Sequence, residues 1–346
     1  MWASAAEGFF MISGMLVGYV YGPRMVRNMW GTTQKIWKRA FLLYSLTVLL
    51  TFVFVWWGNL SDVAHVKEGL WTQPNIFELI FKSLTLQYYY GWADFLPYYA
   101  IFMAWAPLAL LAIVRGKSWL VLAISAVVWL MRGQSFELSW QILFMSAMVV
   151  GWYLPKIEAG VRALAPTVQK RLKLGLYTTA IVLLVASVLT IRIGEFVVHE
   201  YPGFATLPQT LQGIFIWLDN ARVVMTPLIV KWTLEPVRII TAVIWFTALY
   251  VMVRQHESWI QKHTRGALKM FGERSLVVYV THAFTIFALQ LVISGDHGYF
   301  LNTLYSALVM TFVYGAVLTV AFATKHAKRK VKEGVQRLQL TNEEAA

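Results

Sequence analysis

The sequence predicts an all-α protein, a polytopic bundle of about nine transmembrane helices. Of its 346 residues, 58% are hydrophobic and only 14% are charged, which lies well outside the composition of soluble domains. Apolar runs of about 20 residues recur along the chain, and a helix of this length crosses roughly 30 Å of hydrocarbon. The 16 Trp, 16 Tyr and 21 Phe suit the aromatic belts at membrane surfaces. The chain therefore needs an apolar solvent.

Nine apolar runs are the candidate spans, and we expect them to form one membrane domain over residues 1–324. They cover residues 2–22, 40–58, 95–114, 118–131, 139–154, 174–193, 237–253, 275–294 and 300–323. Between the spans, segment 59–94 holds an amphipathic stretch at residues 75–82, and segment 194–236 is the longest piece outside them. We expect interfacial helices in both segments.

The distribution of Lys and Arg predicts the orientation, because cytoplasmic loops carry the excess of these residues. With an outer N-terminus, four loops and the C-terminal tail hold 23 of the 30 Lys and Arg residues. These segments are 23–39, 115–117, 156–173, 254–274 and the basic tail 325–346. We therefore predict an outer N-terminus and a cytoplasmic C-terminus, with a tail that either lies on an anionic leaflet or is solvated.

Several function classes are not supported by the sequence. The formal net charge of +13 is spread in short clusters between apolar runs, so we expect no nucleic-acid partner. The chain has no Cys, which excludes disulfides and thiolate nucleophiles. The His residues are scattered, so we expect no metal site. Phosphate-binding loops, zinc-protease motifs and serine-hydrolase motifs are absent from the sequence.

Ionisable and polar residues at membrane depth are the candidate functional residues, because each charge there costs about 2.5–3.5 kcal/mol. An outer layer is predicted to hold Glu7, Asp94, Arg132, Glu137, Trp140 and Gln141. His282 is predicted to lie about 10 Å from the cytoplasmic end of its helix, which makes an inner layer. The structural alternatives are an ion pair of Arg132 with Glu7 or Glu137, an N-cap role for Asp94, a helix-to-helix hydrogen bond for Gln141, an interfacial anchor for Trp140 and a backbone hydrogen bond for His282.

Four short motifs follow one another along the chain. They are Ala5–Gly22, in which an acidic residue precedes Phe-x-x-x-Ser-Gly; Ala93–Tyr99, with Asp-Phe-Leu-Pro; Phe136–Phe144, with Trp-Gln at its centre; and Phe271–His282, with Gly-x-x-Ser-Leu-x-x-Tyr-x-x-His. In this order, from residue 5 to about residue 325, they resemble the OpgC family of integral membrane acyltransferases, which are relatives of the acyltransferase-3 superfamily.

The resemblance implies an enzyme that moves an acyl group, often succinyl, from cytoplasmic acyl-CoA to a glycan outside a bacterial cytoplasmic membrane. Acyl-CoA would be the donor substrate, and no permanently bound cofactor is implied. The implied catalytic residues are His282, Glu7 and Asp94. The implied glycan-binding residues are Trp140, Gln141, Glu137 and Arg132. The implied ligands of the acyl-CoA phosphates are Arg24, Arg27, Arg115 and Lys117.

The sequence also departs from the family. The family's first helix carries Arg-Gly and a deeper His, whereas the first span here resembles the family's second helix. We expect either that a helix precedes this segment in the full protein or that the chain is a homologue without the catalytic helix. Glu137 stands where the family tends to carry Asn.

A transporter or flippase and a non-catalytic membrane scaffold remain alternative functions.

Overall fold

The computed structural model describes residues 2–60, 70–72, 75–91, 95–292, 301, 304–324 and 333. Within those residues the regular secondary structure is helical, and it contains no strand. The α-helices are α1 (Ala5–Leu16), α2 (Gly22–Arg27), α3 (Met29–Asn59), α4 (Ile76–Leu84), α5 (Phe95–Val114), α6 (Ser118–Leu130), α7 (Phe136–Ala163), α8 (Pro166–Val188), α9 (Gln209–Met225), α10 (Pro236–Gln255), α11 (Glu257–His263), α12 (Ala267–Glu273), α13 (Ser275–Val292) and α14 (Leu304–Thr324). A π-helical turn at Val17–Tyr21 joins α1 to α2, and two more, Leu189–Gly194 and Phe196–Glu200, follow α8.

The helices confirm the predicted fold class. Within the described residues, each of the nine predicted spans lies mainly in helix. In the described part of the chain, six helices are long and apolar enough to cross a membrane, namely α3, α5, α7, α8 with its π-helical turns, α10 and α14. Helices α6 and α13 are apolar but shorter. The number of crossings and the orientation of the termini stay predictions.

The chain forms two compact units. The first consists of residues 1–44 and 97–255, and the second of residues 45–96 and 256–346. The first unit therefore holds α1, α2, α6 to α10 and the adjoining parts of α3 and α5. The second unit holds the rest of α3, α4 and α11 to α14. The tail predicted over residues 325–346 lies outside the described residues except for Glu333.

In the first unit, α1 packs directly on the backbone of α7 because glycines leave no side chain at the contact. A Cβ atom on Gly14 would overlap the carbonyl oxygen of Phe144, and one on Gly18 would overlap that of Met148. Because the residue numbers increase in the same direction along both sides of this contact, the two helices run parallel. Small residues allow such close approach between membrane helices, where apolar burial gives little driving force.

Helices α6 and α7 form an antiparallel hairpin with polar contacts at both ends. The Gln141 amide donates to the Ser125 carbonyl oxygen at 2.8 Å and accepts from the Ser125 hydroxyl at 2.6 Å. At the far end of the hairpin, the hydroxyls of Ser118 and Tyr153 lie 3.2 Å apart. Gln141 therefore ties two helices together, which was the structural alternative for this residue.

The second unit is organised around aromatic rings. Phe54 of α3 is fully buried and packs against Phe287 of α13 at a centroid distance of 4.6 Å and against Tyr90 at 5.7 Å. Helix α4 begins at an Asn75 cap, whose side-chain oxygen accepts from the backbone N–H groups of Phe77 and Glu78. The Phe77 side chain is exposed, as are several other apolar residues of α4. This exposed apolar face agrees with the interfacial helix expected there.

The predicted outer segment 194–236 contains α9, which is anchored by charged side chains. The Arg222 guanidinium donates to the Asp219 carboxylate at 2.8 Å and lies 3.6 Å from Glu195. The same Asp219 carboxylate is 2.9 Å from a ring nitrogen of His199. The hydrogen bond from Arg222 holds the pKa of the Asp219 carboxyl below its usual value of 3.8. This network ties α9 to the π-helical turns that follow α8.

Candidate functional site

A buried ion pair joins the first helix to α10. The Nε of Arg238 donates to one carboxylate oxygen of Glu7, and the side chains are 5% and 0% exposed, respectively. The other Glu7 oxygen accepts from the Ser4 hydroxyl at 2.6 Å and from the Ser4 N–H at 2.8 Å. Glu7 was expected to pair with Arg132 if its role is structural, and that partner was wrong. The Glu7 carboxylate is therefore fully engaged by Arg238 and by the N-terminal turn of its own helix.

Arg132 pairs instead with a carboxylate at the start of α10. Its guanidinium lies 3.4 Å from the Glu235 carboxylate and also sits over the Trp129 ring, 4.3 Å from the ring centroid. The predicted alternative of an Arg132–Glu137 pair was therefore also wrong. Arg132 remains partly exposed, with 28% of its side chain accessible. It combines an ion pair with a cation–π contact at the edge of the first unit.

Four side chains hold the loop at residues 229–235, which leads into α10. Three donate to its backbone: Arg238 to the Ile229 carbonyl oxygen at 3.2 Å, Trp140 to that of Lys231 at 3.0 Å, and Trp129 to that of Leu234 at 3.1 Å. The fourth is Arg132, through Glu235. Leu234 has a φ of +49°, a left-handed conformation that a non-glycine residue adopts at a cost. The surrounding contacts stabilise that conformation.

Trp140 is a core residue in this structure. It is fully buried, and the Phe136 ring stacks on it at 4.6 Å with an angle of 14°. The Phe10 ring approaches the indole edge-on, with the ring centroids 5.5 Å apart. The indole N–H of Trp140 donates to the Lys231 carbonyl oxygen. A sugar ring has no access to either face of the indole in this arrangement. The predicted stacking on a glycan and the alternative of an interfacial anchor are both unsupported by this geometry.

Glu137 is the outer-layer carboxylate that stays accessible. It lies in the first turn of α7, where the helix dipole favours a negative charge, and it is half-buried. Within the described residues it forms no ion pair. Asp94, predicted to be catalytic, lies outside the described residues. Glu137, Arg132 and Gln141 are therefore the predicted outer-layer residues with some exposure in the described structure, and the Gln141 amide is already bonded to Ser125.

The predicted residues of the first unit fall at two opposite ends of the bundle. Glu7, Arg132, Glu137, Trp140 and Gln141 lie at the end where α1 and α7 begin. At the other end, Gly22 packs on Trp152 of α7, and Arg24 and Arg27 follow in the same short helix. The 15 residues from Glu137 to Trp152 span about 22 Å at 1.5 Å per residue. The two predicted layers are thus separate in this unit.

The other two predicted phosphate ligands, Arg115 and Lys117, lie at the same end of the unit as Arg24 and Arg27. They stand just before Ser118, and the Ser118 hydroxyl contacts Tyr153, the neighbour of Trp152 in α7. Gly116 between them has a φ of +78°, which lets the chain turn sharply from α5 into α6. The side chains of Arg24, Arg27, Arg115 and Lys117 are all exposed. One end of the first unit therefore presents four solvent-accessible cations.

His282 belongs to the second unit. It lies in the second turn of α13, its side chain is exposed, and it makes no hydrogen bond within the described part of the chain. The alternative that His282 is fixed by a backbone carbonyl is therefore not seen in the described residues. An exposed imidazole remains accessible to a substrate.

Sequence reasoning missed Arg238 and Glu235, the partners of Glu7 and Arg132. Neither was named as a candidate, although each lies at or next to the start of an apolar run, where the same cost of burying a charge applies. The glycines that bring α1 onto α7 were also missed. Their signal is the repeat Gly14-x-x-x-Gly18-x-x-x-Gly22, a small-residue stripe at helical spacing.

These features define a helical integral membrane protein with a polar cluster at one end of a bundle and a basic cluster at the other. The sequence profile of the family described as OpgC protein matches residues 2–329. The chain belongs to the OpgC protein family. No curated protein and no solved structure matches the chain significantly. Among the described residues, no group of three or more His, Asp or Glu side chains is arranged to hold a metal ion.

Proposed function

We propose that this protein is a membrane-bound O-acyltransferase that modifies a glucan. It would transfer an acyl group, such as succinyl, from cytoplasmic acyl-CoA to a glucan hydroxyl on the outer side of a bacterial cytoplasmic membrane. The observation that carries this proposal is the membership of the OpgC family, which extends over residues 2–329. The alternatives, a transporter and a scaffold, have no comparable support.

The separation of the two polar ends supports a donor and an acceptor that arrive from opposite faces. The exposed cations Arg24, Arg27, Arg115 and Lys117 suit the phosphates of CoA, because charge-assisted hydrogen bonds from Arg are strong and geometrically matched to phosphate. At the other end, Glu137 and Arg132 offer an acceptor and a donor for sugar hydroxyls. The proposed glucan therefore meets the end where α7 begins.

In the proposed reaction, the acceptor hydroxyl attacks the thioester carbonyl carbon. The ester C–O bond forms, the thioester C–S bond breaks, and CoA leaves as a thiolate. His282 would take the hydroxyl proton and return it to the thiolate sulfur, so the proton is conserved. Asp94 is the second predicted acid–base residue. Glu7 and Trp140 would be positioning residues, since the buried ion pair and the stacked indole fix the loop at 229–235.

Acyl transfer measured on the purified protein tests this proposal. The protein in liposomes is incubated with radiolabelled succinyl-CoA or acetyl-CoA and a soluble glucan, and the label on the glucan is counted. We expect transfer by the wild type and a loss of about 10²- to 10⁴-fold in kcat for His282→Ala, the range for a general base. The KM for acyl-CoA should change little, because the imidazole acts on the hydroxyl proton.

His256→Ala is the matched control, since His256 lies at the start of α11 in the same unit and has no proposed role. It should keep wild-type activity. Full activity of His282→Ala would remove the assigned base. A wild type that labels no glucan with either donor would count against the transferase and favour the transporter or scaffold.

A further inference from the structure

The first unit contains a cleft that none of the proposed transferase residues lines. It has a volume of about 380 Å³ and lies between α7, α8 and α10, with Met15 of α1 also in its lining. Arg162, Lys173 and Arg254, which lie on three different helices, line one end of the cleft. That end is therefore charged, and the rest of the cleft is lined mainly by apolar side chains.

The charged end carries a net positive charge. Three cations, Arg162, Lys173 and Arg254, face one carboxylate, Glu158. The Glu158 carboxylate accepts from the Tyr250 hydroxyl at 2.7 Å, and the nearest nitrogens of Arg254 and Arg162 lie 3.7 and 3.8 Å away. Such long contacts contribute little, and the two guanidinium side chains are 58% and 70% exposed. An anion entering this end would meet an excess of accessible cations.

The remainder of the cleft is apolar and faces outward. Val150, Ile157 and Val161 of α7 line it and are more than 40% exposed, and Phe246 and Val251 of α10 line the opposite wall. From Val150 to Arg162 the cleft follows α7 for 12 residues, which is about 18 Å. One leaflet contributes about 15 Å of the hydrocarbon core, so this length suits one acyl chain.

We infer that this cleft binds a phospholipid with an anionic headgroup, with the phosphate at Arg162, Lys173 and Arg254 and an acyl chain along the apolar wall. Basic pockets between transmembrane helices are known to hold such headgroups. A short, ionised succinyl group would gain nothing from an 18 Å apolar wall. The inference goes beyond the acyl transfer and does not depend on it.

The test measures lipid binding by the full chain in detergent micelles. Native mass spectrometry records the retention of phosphatidylglycerol and of phosphatidylcholine with the same acyl chains. We expect preferential binding of phosphatidylglycerol by the wild type. The triple variant Arg162→Gln/Lys173→Gln/Arg254→Gln should bind it roughly a hundredfold more weakly, since each of the three cations near the headgroup contributes about 1 kcal/mol and about 1.4 kcal/mol is tenfold in affinity.

Two further variants make the result interpretable. Lys170→Gln removes one charge from the same turn of α8 outside the cleft and should bind phosphatidylglycerol like the wild type. Leu154→Trp keeps every charge but fills the apolar wall, and it should weaken binding of the lipid. Circular dichroism of each variant checks that its helices are intact. If the folded Leu154→Trp protein binds phosphatidylglycerol normally, the acyl chain does not lie in the cleft and the inference fails.

Competition separates the lipid from other anions. Glycerol 3-phosphate and inorganic phosphate should not displace phosphatidylglycerol at concentrations where the lipid saturates the protein. Acyl-CoA should not displace it from the cleft either. Displacement by phosphate would mean a simple anion site, and displacement by acyl-CoA would mean that the cleft is the donor site; either result would overturn the lipid assignment.

Discussion

Glu7 and Arg238 are two charges that water cannot reach, and each depends on the other. Their side chains are 0% and 5% exposed, and they lie 231 residues apart in the sequence. A buried pair is often close to neutral in net stability, but removal of one partner leaves an uncompensated charge. Without the Glu7 carboxylate, the Arg238 guanidinium would face neutral acceptors instead of a countercharge, among them the Ile229 carbonyl oxygen and the Ser4 hydroxyl.

We therefore expect Glu7→Gln to lower the free energy of unfolding by about 3–5 kcal/mol. Denaturant unfolding in detergent micelles, followed by tryptophan fluorescence, measures this change. The double variant Glu7→Gln/Arg238→Met, which removes both charges, should recover a large part of the loss. A single variant within about 1 kcal/mol of the wild type would mean that the pair is not buried in the membrane-embedded protein.

The sequence indicated which residues of this cluster are unusual but not which residues they contact. The cost of a membrane charge marks Glu7 and Arg132 without any structure. Their partners, Arg238 and Glu235, lie at the start of α10, a helix far away in the chain. The contact of Trp140 with Lys231 could not be predicted, because it is made to a backbone carbonyl oxygen, and every residue carries one.

The contact of α1 with α7 brings two helix backbones close together in the first unit. Gly14 of α1 and Gly18 of the π-helical turn after it lie directly against the α7 backbone, and Gly151 of α7 lies against Met15. Gly8, one turn after the start of α1, has open space around its Cα. The same residue type thus has two different roles in one helix.

This difference predicts opposite effects of two identical substitutions. Gly18→Ala places a methyl group against the Met148 carbonyl oxygen, so α1 must move away from α7. We expect a loss of about 1–3 kcal/mol in stability, the usual cost of overpacking. Gly8→Ala meets no atom and should be neutral or slightly stabilising, because Ala favours a helix by about 1 kcal/mol over Gly. Thermal melting of both variants in the same detergent compares them.

If Gly18→Ala melts at the wild-type temperature, then α1 and α7 do not approach each other as closely as described.

The stripe of small residues Gly14, Gly18 and Gly22, spaced four apart, was visible in the sequence. What the sequence could not supply was the partner helix, because Gly14-x-x-x-Gly18 is complementary to any small or flat helix surface.

The composition of the chain was enough to predict an integral membrane protein. Runs of apolar residues predicted helices in the correct places because the bilayer sets their length. The resemblance to the OpgC family depended on motifs in a fixed order, and the family match over residues 2–329 confirmed the family. His282 and the outer residues lie in different compact units, and their relation cannot be derived from one sequence.

The orientation of the termini can be tested without background labelling because the chain has no native Cys. We expect Gly133→Cys, in the turn between α6 and α7, to react with a membrane-impermeant maleimide in intact cells. Gln261→Cys, in the exposed helix α11, should react only after the membrane is permeabilised. These results follow from the excess of Lys and Arg in the loops assigned to the cytoplasm. The reverse labelling pattern would invert the predicted orientation.

The π-helical turn at Val17–Tyr21 determines the direction in which the start of the first helix faces. Each residue of an α-helix rotates the next by about 100°, and a π turn takes up one residue more than an α turn. If the same stretch were wound as α-helix throughout, Glu7 would point about 100° away from Arg238 while Gly22 kept its place on Trp152. A relative that is one residue shorter within this turn can therefore form an uninterrupted α-helix and keep both contacts, so chain length is free to vary there by a single residue.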